Sequence, residues 1–264
     1  MWGLTSDLAS PNATLVRQGL GLLTRVGSTV HGVGVAGQDD EDRMGICVEP
    51  TSHVLGLERF EHYEHRTQPQ GVRSGPGDVD LVVYSLRKWM RLAIQGNPSI
   101  LIPLFVPFTD VLHITPLGRQ LRKDPGLVLS RNVGARCLGY VRSQRGKLVG
   151  YPGKQRPELV ERYGFDTKFA YHMVRLGLQG VELLTTGWLT LPTPEPDRTW
   201  LRELRVGEHT QADALERSDE LEAQLRELLS STRGALPVKP QLDRVNQFLV
   251  DAHYRHWWGE KRDR

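Results

Sequence analysis

The chain has 264 residues, of which 39% are hydrophobic and 25% are charged, as in an ordinary globular protein. Its net charge of +3, from 34 basic and 31 acidic residues, is too small to imply nucleic-acid binding by itself. No apolar run approaches the ~20 residues that cross a bilayer, and the N-terminus lacks the pattern of a secretory signal. Two cysteines are too few for a disulfide framework or a zinc site. We therefore expect a cytoplasmic protein without a membrane partner; its oligomeric state does not follow from the sequence.

The first third of the chain alternates short apolar runs with polar segments, which is typical of strands in a small sheet. The first apolar run predicts a helix that leads into a strand, and three further runs predict strands. Polar segments separate these strands, and the longest polar segment is a loop rich in proline and glycine. In chain order these are the helix and strand at Leu15–Val26, the strands at Met44–Val48 and Val54–Leu57, the loop His62–Gly77 and the strand Val79–Val83.

Helical periodicity begins after the last of these strands. Leu86, Trp89, Met90, Ala93 and Ile94 follow the spacing of one helix face, and Gly96-Asn97-Pro98 ends the pattern. Four later segments are also helix candidates: Val128–Tyr140, Lys168–Leu184, Ala212–Leu229 and Leu242–His256. The sequence therefore predicts an α+β protein, with a mixed-sheet catalytic domain over residues 1–118, a helical domain over residues 119–264 and the active site in the cleft between them.

A Gly-Ser turn and two closely spaced aspartates stand out between the first two predicted strands. Asp40 and Asp42 are two residues apart in an extended segment, so their side chains project from the same face. Like charges held that close repel each other, and the usual counter-charge is a divalent metal ion. Gly27-Ser28 offers backbone amides and a hydroxyl that can hold a phosphate. The structural alternative is a solvated acidic turn from Gln38 to Asp42, and Asp39 and Glu41 are expected to be exposed.

Gly27-Ser28 followed by Asp40-Glu41-Asp42 resembles the opening motif of the DNA polymerase beta-like nucleotidyltransferases. Two further blocks, Asp78–Phe105 and Lys168–Gly187, are similar to a branch of that superfamily that includes RNA-ligase-associated, RNA-repair members. The first block carries Tyr-Ser-Leu-Arg-Lys and then Gly-Asn-Pro. The resemblance runs from about Val26 to Gly187 and implies a polymerase-beta-like catalytic domain.

Nucleotidyl transfer with two metal ions needs a third carboxylate on a neighbouring strand. Asp78 and Asp80 would face the same side; the resemblance favours Asp80, and Asp78 is interpreted as a turn residue after Gly75-Pro76-Gly77. The resemblance thus implies Asp40, Asp42 and Asp80 as catalytic metal ligands for two Mg²⁺ ions, with Mn²⁺ as a substitute. Gly27 and Ser28 would then bind the nucleotide. His31 is either a phosphate contact or a loop residue.

The third block contains a polar stripe along a predicted helix. Lys168, His172, Arg175 and Gln179 are spaced at i, i+4, i+7 and i+11, and an ordinary wet face is the structural alternative. A cationic set of this kind suits a triphosphate or a polynucleotide end. We therefore expect Lys168, His172 and Arg175 to bind nucleotide and the neighbouring Tyr171 to stack on a base.

Basic residues concentrate in the middle third of the chain, where they could follow a phosphate backbone or form solvated helix faces. They are Arg119, Arg122, Lys123, Arg131, Arg136, Arg142, Arg145, Lys147, Lys154, Arg156, Arg162 and Lys168. Together with the resemblance, they favour transfer of a nucleoside monophosphate from an NTP such as ATP to an RNA 3′ end, tRNA included, in RNA repair or end modification. Nucleotidylation of a small molecule or a protein, and a non-catalytic nucleic-acid-binding module, remain the alternatives.

Overall fold

The structure, a computed structural model, describes residues 10–35, 39–69, 71–72, 74–150, 155–231 and 234–259. Two residues of the sequence interpretation, Gln38 and Lys154, lie outside these ranges. The described chain forms one mixed sheet and a set of helices, which confirms the predicted α+β class.

The sheet has five strands in the order β3-β4-β2-β1-β5. The central pair β2 and β4 is parallel, and every other neighbouring pair is antiparallel. The strands are β1 (Leu20–Arg25), β2 (Glu41–Cys47), β3 (His62–Arg66), β4 (Val79–Ser85) and β5 (Val111–Ile114). Because β2 and β4 run in the same direction, residues at their starts lie at the same edge of the sheet.

The α-helices among the described residues are α1 (Pro11–Gly19), α2 (Thr51–Val54), α3 (Leu86–Ile94), α4 (Pro98–Phe105), α5 (Pro116–Lys123), α6 (Asn132–Val149), α7 (Pro157–Tyr163), α8 (Thr167–Thr186), α9 (Asp197–Arg205), α10 (Gln211–Ser230) and α11 (Leu242–Trp258). Helix α1 precedes the first strand, α2 to α4 lie between strands, and α5 to α11 follow β5 as a long C-terminal series. Helix α8 packs between α6 and α10. The largest hydrophobic core combines side chains of the sheet, such as Ile46, with side chains of the later helices, such as Leu184 and Phe248.

Local sequence signals explain where the predicted elements begin and end. Ser85 accepts a hydrogen bond from the Lys88 amide at the start of α3, and Gly96, with φ 77°, follows its end. Asp166 caps α8 by accepting bonds from the Lys168 and Phe169 amides. The predicted helix-to-strand segment, the strands β2 and β4, and the helices α3, α8, α10 and α11 are confirmed within a few residues. The helix predicted at Val128–Tyr140 is present as α6, but it begins four residues later and ends nine residues later than predicted.

Other local predictions were wrong. The strand predicted at Val54–Leu57 is instead the end of α2 and a turn, and the loop predicted at His62–Gly77 contains β3. The apolar signal of β3 is weak because Tyr63 is its buried side chain among exposed and half-buried neighbours. The sequence interpretation also missed α4, α5, α7, α9 and β5. Helix α4 has Pro98 at its start and Pro103 inside it, a composition that discourages a helix prediction.

Candidate active site

The parallel pairing of β2 with β4 brings three carboxylates together. Asp42 lies directly opposite Asp80 in the register, and Asp40 is two residues before Asp42. One oxygen from each of the three side chains lies within 4.8 Å of the others. Among the described residues this is the group of acidic side chains close enough to hold a cation. The predicted carboxylates are therefore neighbours in space, although 38 residues separate Asp42 from Asp80 in the chain.

Asp78, the alternative third carboxylate, is used elsewhere. Its Oδ1 accepts a hydrogen bond from the Thr67 hydroxyl at 2.9 Å, and its Oδ2 accepts one from the Gly75 amide at 2.9 Å. These bonds close the turn before β4, as the interpretation of Asp78 as a turn residue requires. Asp80 instead accepts bonds from Gln68 Nε2 at 2.9 Å and from the Ser74 hydroxyl at 2.8 Å.

Within the carboxylate cluster, burial and neighbouring charges both act on Asp42. Burial, followed by the charges of Asp40 and Asp80, raises the pKa of Asp42 to about 6, and the charge of Lys168 partly opposes this. The same oxygens are hard ligands of the type that Mg²⁺ and Mn²⁺ take in proteins. Their proximity and mutual repulsion therefore fit a divalent cation site.

The Gly-Ser turn lies against the cluster. Gly27 has φ 79°, and a Cβ atom built on it would lie 2.1 Å from Asp42 Oδ2. The adjacent Val26 amide donates to the Asp42 carbonyl oxygen at 2.8 Å. A side chain at position 27 would thus displace the carboxylate, which is a stricter requirement for glycine than a turn alone imposes.

A cavity of about 290 Å³ connects the cluster to helix α8. Its walls contain all the predicted nucleotide-binding residues and two of the three carboxylates. From the N-terminal half these are Gly27, Ser28, Asp40 and Asp42, and from α8 they are Lys168, Tyr171, His172 and Arg175. The Gly-Ser turn, the acidic pair and the cationic stripe therefore line the same cavity.

The stripe on α8 differs from a wet helix face. Lys168 is exposed, whereas Arg175 and Gln179 are buried and bonded to each other at 3.0 Å. Burial, reinforced by the charge of Arg175, holds the pKa of His172 well below its ordinary value, so His172 is neutral at pH 7. Of the predicted cations, Lys168 is the one that presents a mobile charge to the cavity.

The structure corrects the expectation for the Tyr171 ring and bears on the two alternatives left open for His31. Tyr171 is 2% exposed, with the guanidinium carbons of Arg175 and Arg205 at 5.6 and 5.3 Å from its ring centre, so its faces are not open for stacking on a base. His31 is equally buried, and Arg175 Nη1 donates to its Nε2 at 3.0 Å. Burial, then the charges of Arg175 and His172, keeps the pKa of His31 far below its ordinary value. The loop interpretation of His31 is supported, since a buried neutral ring binds phosphate poorly.

The sequence interpretation treated Asp39 and Glu41 as exposed, but both are partly buried and paired. Asp39 Oδ1 lies 2.8 Å from Arg205 Nη2, and Glu41 Oε1 lies 2.8 Å from Arg43 Nε. Burial would raise the pKa of Asp39, but hydrogen bonds from Arg205, the Val35 amide and the Ser28 hydroxyl lower it below the ordinary value. Arg205 was missed because nothing in the spacing of α9 indicates which distant loop it meets.

Most of the basic middle third is engaged within the protein. Arg122 donates to the carbonyl oxygens that end α4, and several other arginines form ion pairs or bonds between helices. The pairs are Arg131 with the Ser231 carbonyl, Arg142 with Glu222, Arg145 with Asp219 and Arg156 with Asp166. These residues hold helices together, which gives them a packing role besides the two that the sequence left open, a phosphate-backbone contact and solvated helix faces.

The mixed sheet thus places Asp42 and Asp80, from two parallel strands, beside the Gly-Ser turn. The sequence model of the RNA repair pathway DNA polymerase beta family matches residues 17–251, and the chain belongs to that family. A nucleotidyltransferase-like protein from Exiguobacterium sibiricum is a weak structural match, with 10% identity, coverage of 92% of this chain and 77% of that chain, and a TM-score of 0.29. The comparison with curated proteins found no match. Within the described ranges, no helix is both long and apolar enough to span a membrane.

Proposed function

We propose that the protein transfers a nucleoside monophosphate from an NTP to an acceptor hydroxyl, and that the acceptor is an RNA 3′ end. The observation that carries the proposal is the cluster of Asp40, Asp42 and Asp80, whose oxygens lie within 4.8 Å of one another beside the Gly27-Ser28 turn. In this proposal, residues 1–118 supply the catalytic groups and residues 119–264 bind nucleotide and acceptor.

The three carboxylates would hold Mg²⁺, with Mn²⁺ as a substitute. When bound, the metal neutralises charge on the triphosphate and lowers the pKa of the attacking hydroxyl. Burial, and then the charges of Asp40 and Asp80, raise the pKa of Asp42. A bound cation would offset the part that is due to this repulsion, which supports the assignment.

The protein's own groups have separate roles in the proposed transfer. Lys168 would hold the triphosphate by charge, and the turn at Gly27-Ser28 would orient it with backbone amides and the serine hydroxyl. Asp80 would accept the proton of the attacking hydroxyl on a carboxylate oxygen. A bond then forms between that hydroxyl oxygen and the α-phosphorus, the bond from the α-phosphorus to the bridging oxygen breaks, and pyrophosphate leaves.

The RNA acceptor is supported by the family, which is named for an RNA repair pathway. The pairing of Arg142 and Arg145 with α10 leaves fewer free cations for a long RNA contact than the sequence suggests. The charges therefore favour a short contact between the protein and the RNA, near the RNA 3′ end. Each phosphate contact adds roughly 0.7–0.9 to the slope of log affinity against log salt concentration. With few contacts, RNA affinity should therefore fall by only a few log units per log unit of salt.

Labelled NTPs test the proposal directly. The protein is incubated with each α-³²P-labelled NTP, Mg²⁺ and an RNA oligonucleotide, and with the same oligonucleotide carrying a 2′,3′-dideoxy end as the matched control. We expect label on the hydroxyl-ended RNA alone, with release of pyrophosphate. Label that appears on a protein or a small molecule would support the alternative acceptors, and an absence of transfer with every NTP would support the non-catalytic module.

A further inference from the structure

The segment of residues 31–33, shortly after the Gly-Ser turn, is held by the part of the chain that follows α8. Three consecutive carbonyl oxygens of that segment each accept a hydrogen bond from residues between 193 and 205. The bonds run from the Thr193 amide to His31 at 3.2 Å, from Arg202 Nε to Gly32 at 2.6 Å, and from Arg205 Nη1 to Val33. A contact of this regularity fixes the backbone of the segment rather than one side chain.

Gly32 permits this close approach. It has φ 72°, and a Cβ atom built on it would lie 2.8 Å from Pro192 Cβ and 2.9 Å from Arg198 Cδ. The segment and the start of α9 are therefore packed against each other without room for a side chain. The contact is a close-packed junction, so a shift of α9 would be transmitted to the segment.

Arg205 makes a second, ionic connection to the same region. Its Nη2 lies 2.8 Å from Asp39 Oδ1, its Nη1 lies 3.4 Å from Asp39 Oδ2, and the two side chains are only 10% and 16% exposed. A forked pair of this kind needs the planar guanidinium of arginine, because the ammonium of lysine offers a single point charge. The ring of Tyr171 lies beside the guanidinium and restricts it further.

Asp39 connects Arg205 to the carboxylate cluster. Its Oδ2 also accepts a hydrogen bond from the Val35 amide at 2.5 Å. The residue that follows Asp39 is Asp40. The Val33 amide in turn donates to the Ser28 carbonyl oxygen at 3.2 Å. Arg205 is thus joined through Asp39 to the backbone of a candidate metal ligand, and through Val33 to the serine of the phosphate turn.

We propose that Arg205 is a positioning residue, which acts through Asp39 and the carbonyl oxygen of Val33 to hold Ser28 and Asp40 in place. The inference rests on the proposed function, because it takes Asp40 as a metal ligand. It gives Asp39 a structural role beside the metal site, and it makes the geometry of the site depend on α9. Groups that orient metal ligands from outside the coordination shell typically affect metal affinity by 10–100-fold.

Metal affinity and turnover of the full chain test this role. Arg205→Lys keeps the positive charge but removes the fork, and Asp39→Asn keeps the shape but removes the ionic partner. We expect each to weaken Mn²⁺ binding, measured by titration calorimetry, by roughly tenfold or more, and to lower kcat more than it raises KM for the NTP. The double variant should be little worse than either single one, because both break the same connection.

Arg217→Ala is the matched control. Arg217 pairs with Asp197 at 3.0 Å and so ties α9 to α10 without touching the segment. The Arg217→Ala variant should leave Mn²⁺ affinity and kcat unchanged. Its thermal unfolding temperature should fall by about as much as that of Arg205→Lys. Equal losses of Mn²⁺ affinity in Arg217→Ala and Arg205→Lys would overturn the inference, and so would wild-type affinity in Arg205→Lys and Asp39→Asn. If the unmodified protein binds no Mn²⁺, the proposed function fails first and the inference falls with it.

Discussion

Gly27 and Asp42 are in contact at a distance that no side chain at position 27 could tolerate. A Cβ atom on Gly27 would lie 2.1 Å from Asp42 Oδ2, and Gly27 has φ 79°. The turn that is assigned to phosphate and the carboxylate that is assigned to metal are therefore one structural unit, and a change in either moves the other.

Gly27→Ala is expected to lower activity at least a hundredfold, because it displaces Asp42 by an ångström or more from its position. Steady-state transfer kinetics measure this effect. Gly164→Ala is the control, since Gly164 has φ 81° with no atom within 4 Å of a built Cβ. Both variants should lose roughly 1 kcal/mol of stability from the positive φ, so comparable turnover in the two would contradict the proposed contact.

Asp40→Ala and Asp42→Ala should each abolish nucleotide transfer while the protein stays folded. The reason is that each change removes an oxygen ligand and also relieves repulsion within the cluster. Transfer assays in buffered Mg²⁺, together with circular dichroism, check both parts. Near-normal turnover in either variant would remove the basis of the proposed mechanism.

Asp42→Asn should stabilise the metal-free protein, with a dependence on pH whose sign follows from the raised pKa. The pKa of Asp42 is about 6 in the folded protein, against 3.8 for an ordinary aspartate. Between these values the native state holds more protons than the unfolded state, so this group makes stability fall as pH rises. Allowing for partial exposure, the gain in the variant should be on the order of 1–2 kcal/mol above pH 6 and should vanish below about pH 4.

Urea denaturation in EDTA at several pH values measures this gain. Saturating Mn²⁺ is the internal control, because a bound cation stabilises the charged form and should reverse the order of the two proteins. A variant that is no more stable than the wild type at pH 7.5 in EDTA would mean that burial and the charges of Asp40 and Asp80 do not raise the pKa of Asp42 in the folded state.

Asp80→Ala should cost far more activity than Asp78→Ala. Asp80 lies in the cluster, whereas Asp78 bonds to Thr67 and Gly75 in the turn before β4. Asp78→Ala should instead lower the unfolding temperature modestly through the loss of these two bonds. Transfer kinetics of the two variants decide the assignment, and the reverse order would make Asp78 the third catalytic carboxylate.

Lys168→Glu should impair transfer strongly, because it places a negative charge beside the triphosphate and Asp42. Lys168 is exposed, so the variant should fold normally; the buried Arg175 would not offer so clean a test. The measured quantities are KM for the NTP and kcat, with Lys239→Glu as a charge-reversal control at another exposed site. Equal kinetics for the two variants would exclude Lys168 from the nucleotide site.

The sequence by itself determined the α+β class, the four long helices of the second half and the pair of carboxylates Asp40 and Asp42. These rest on local rules: the 3.6-residue period, capping residues, and the two-residue period that sets Asp40 and Asp42 on one face. The motif blocks added the choice of Asp80 over Asp78, which the hydrogen bonds of Asp78 in its turn support.

Tertiary structure alone decided how the charges are used. Arg175 reads as part of a wet stripe in the sequence, yet packing buries it against His31, which is 144 residues away. Arg205 and Asp39 are separated by 166 residues in the chain. They meet only because α9 packs against the segment of residues 31–33, which precedes β2. Pairing between distant charges depends on which faces the core brings together, and no local period encodes that choice.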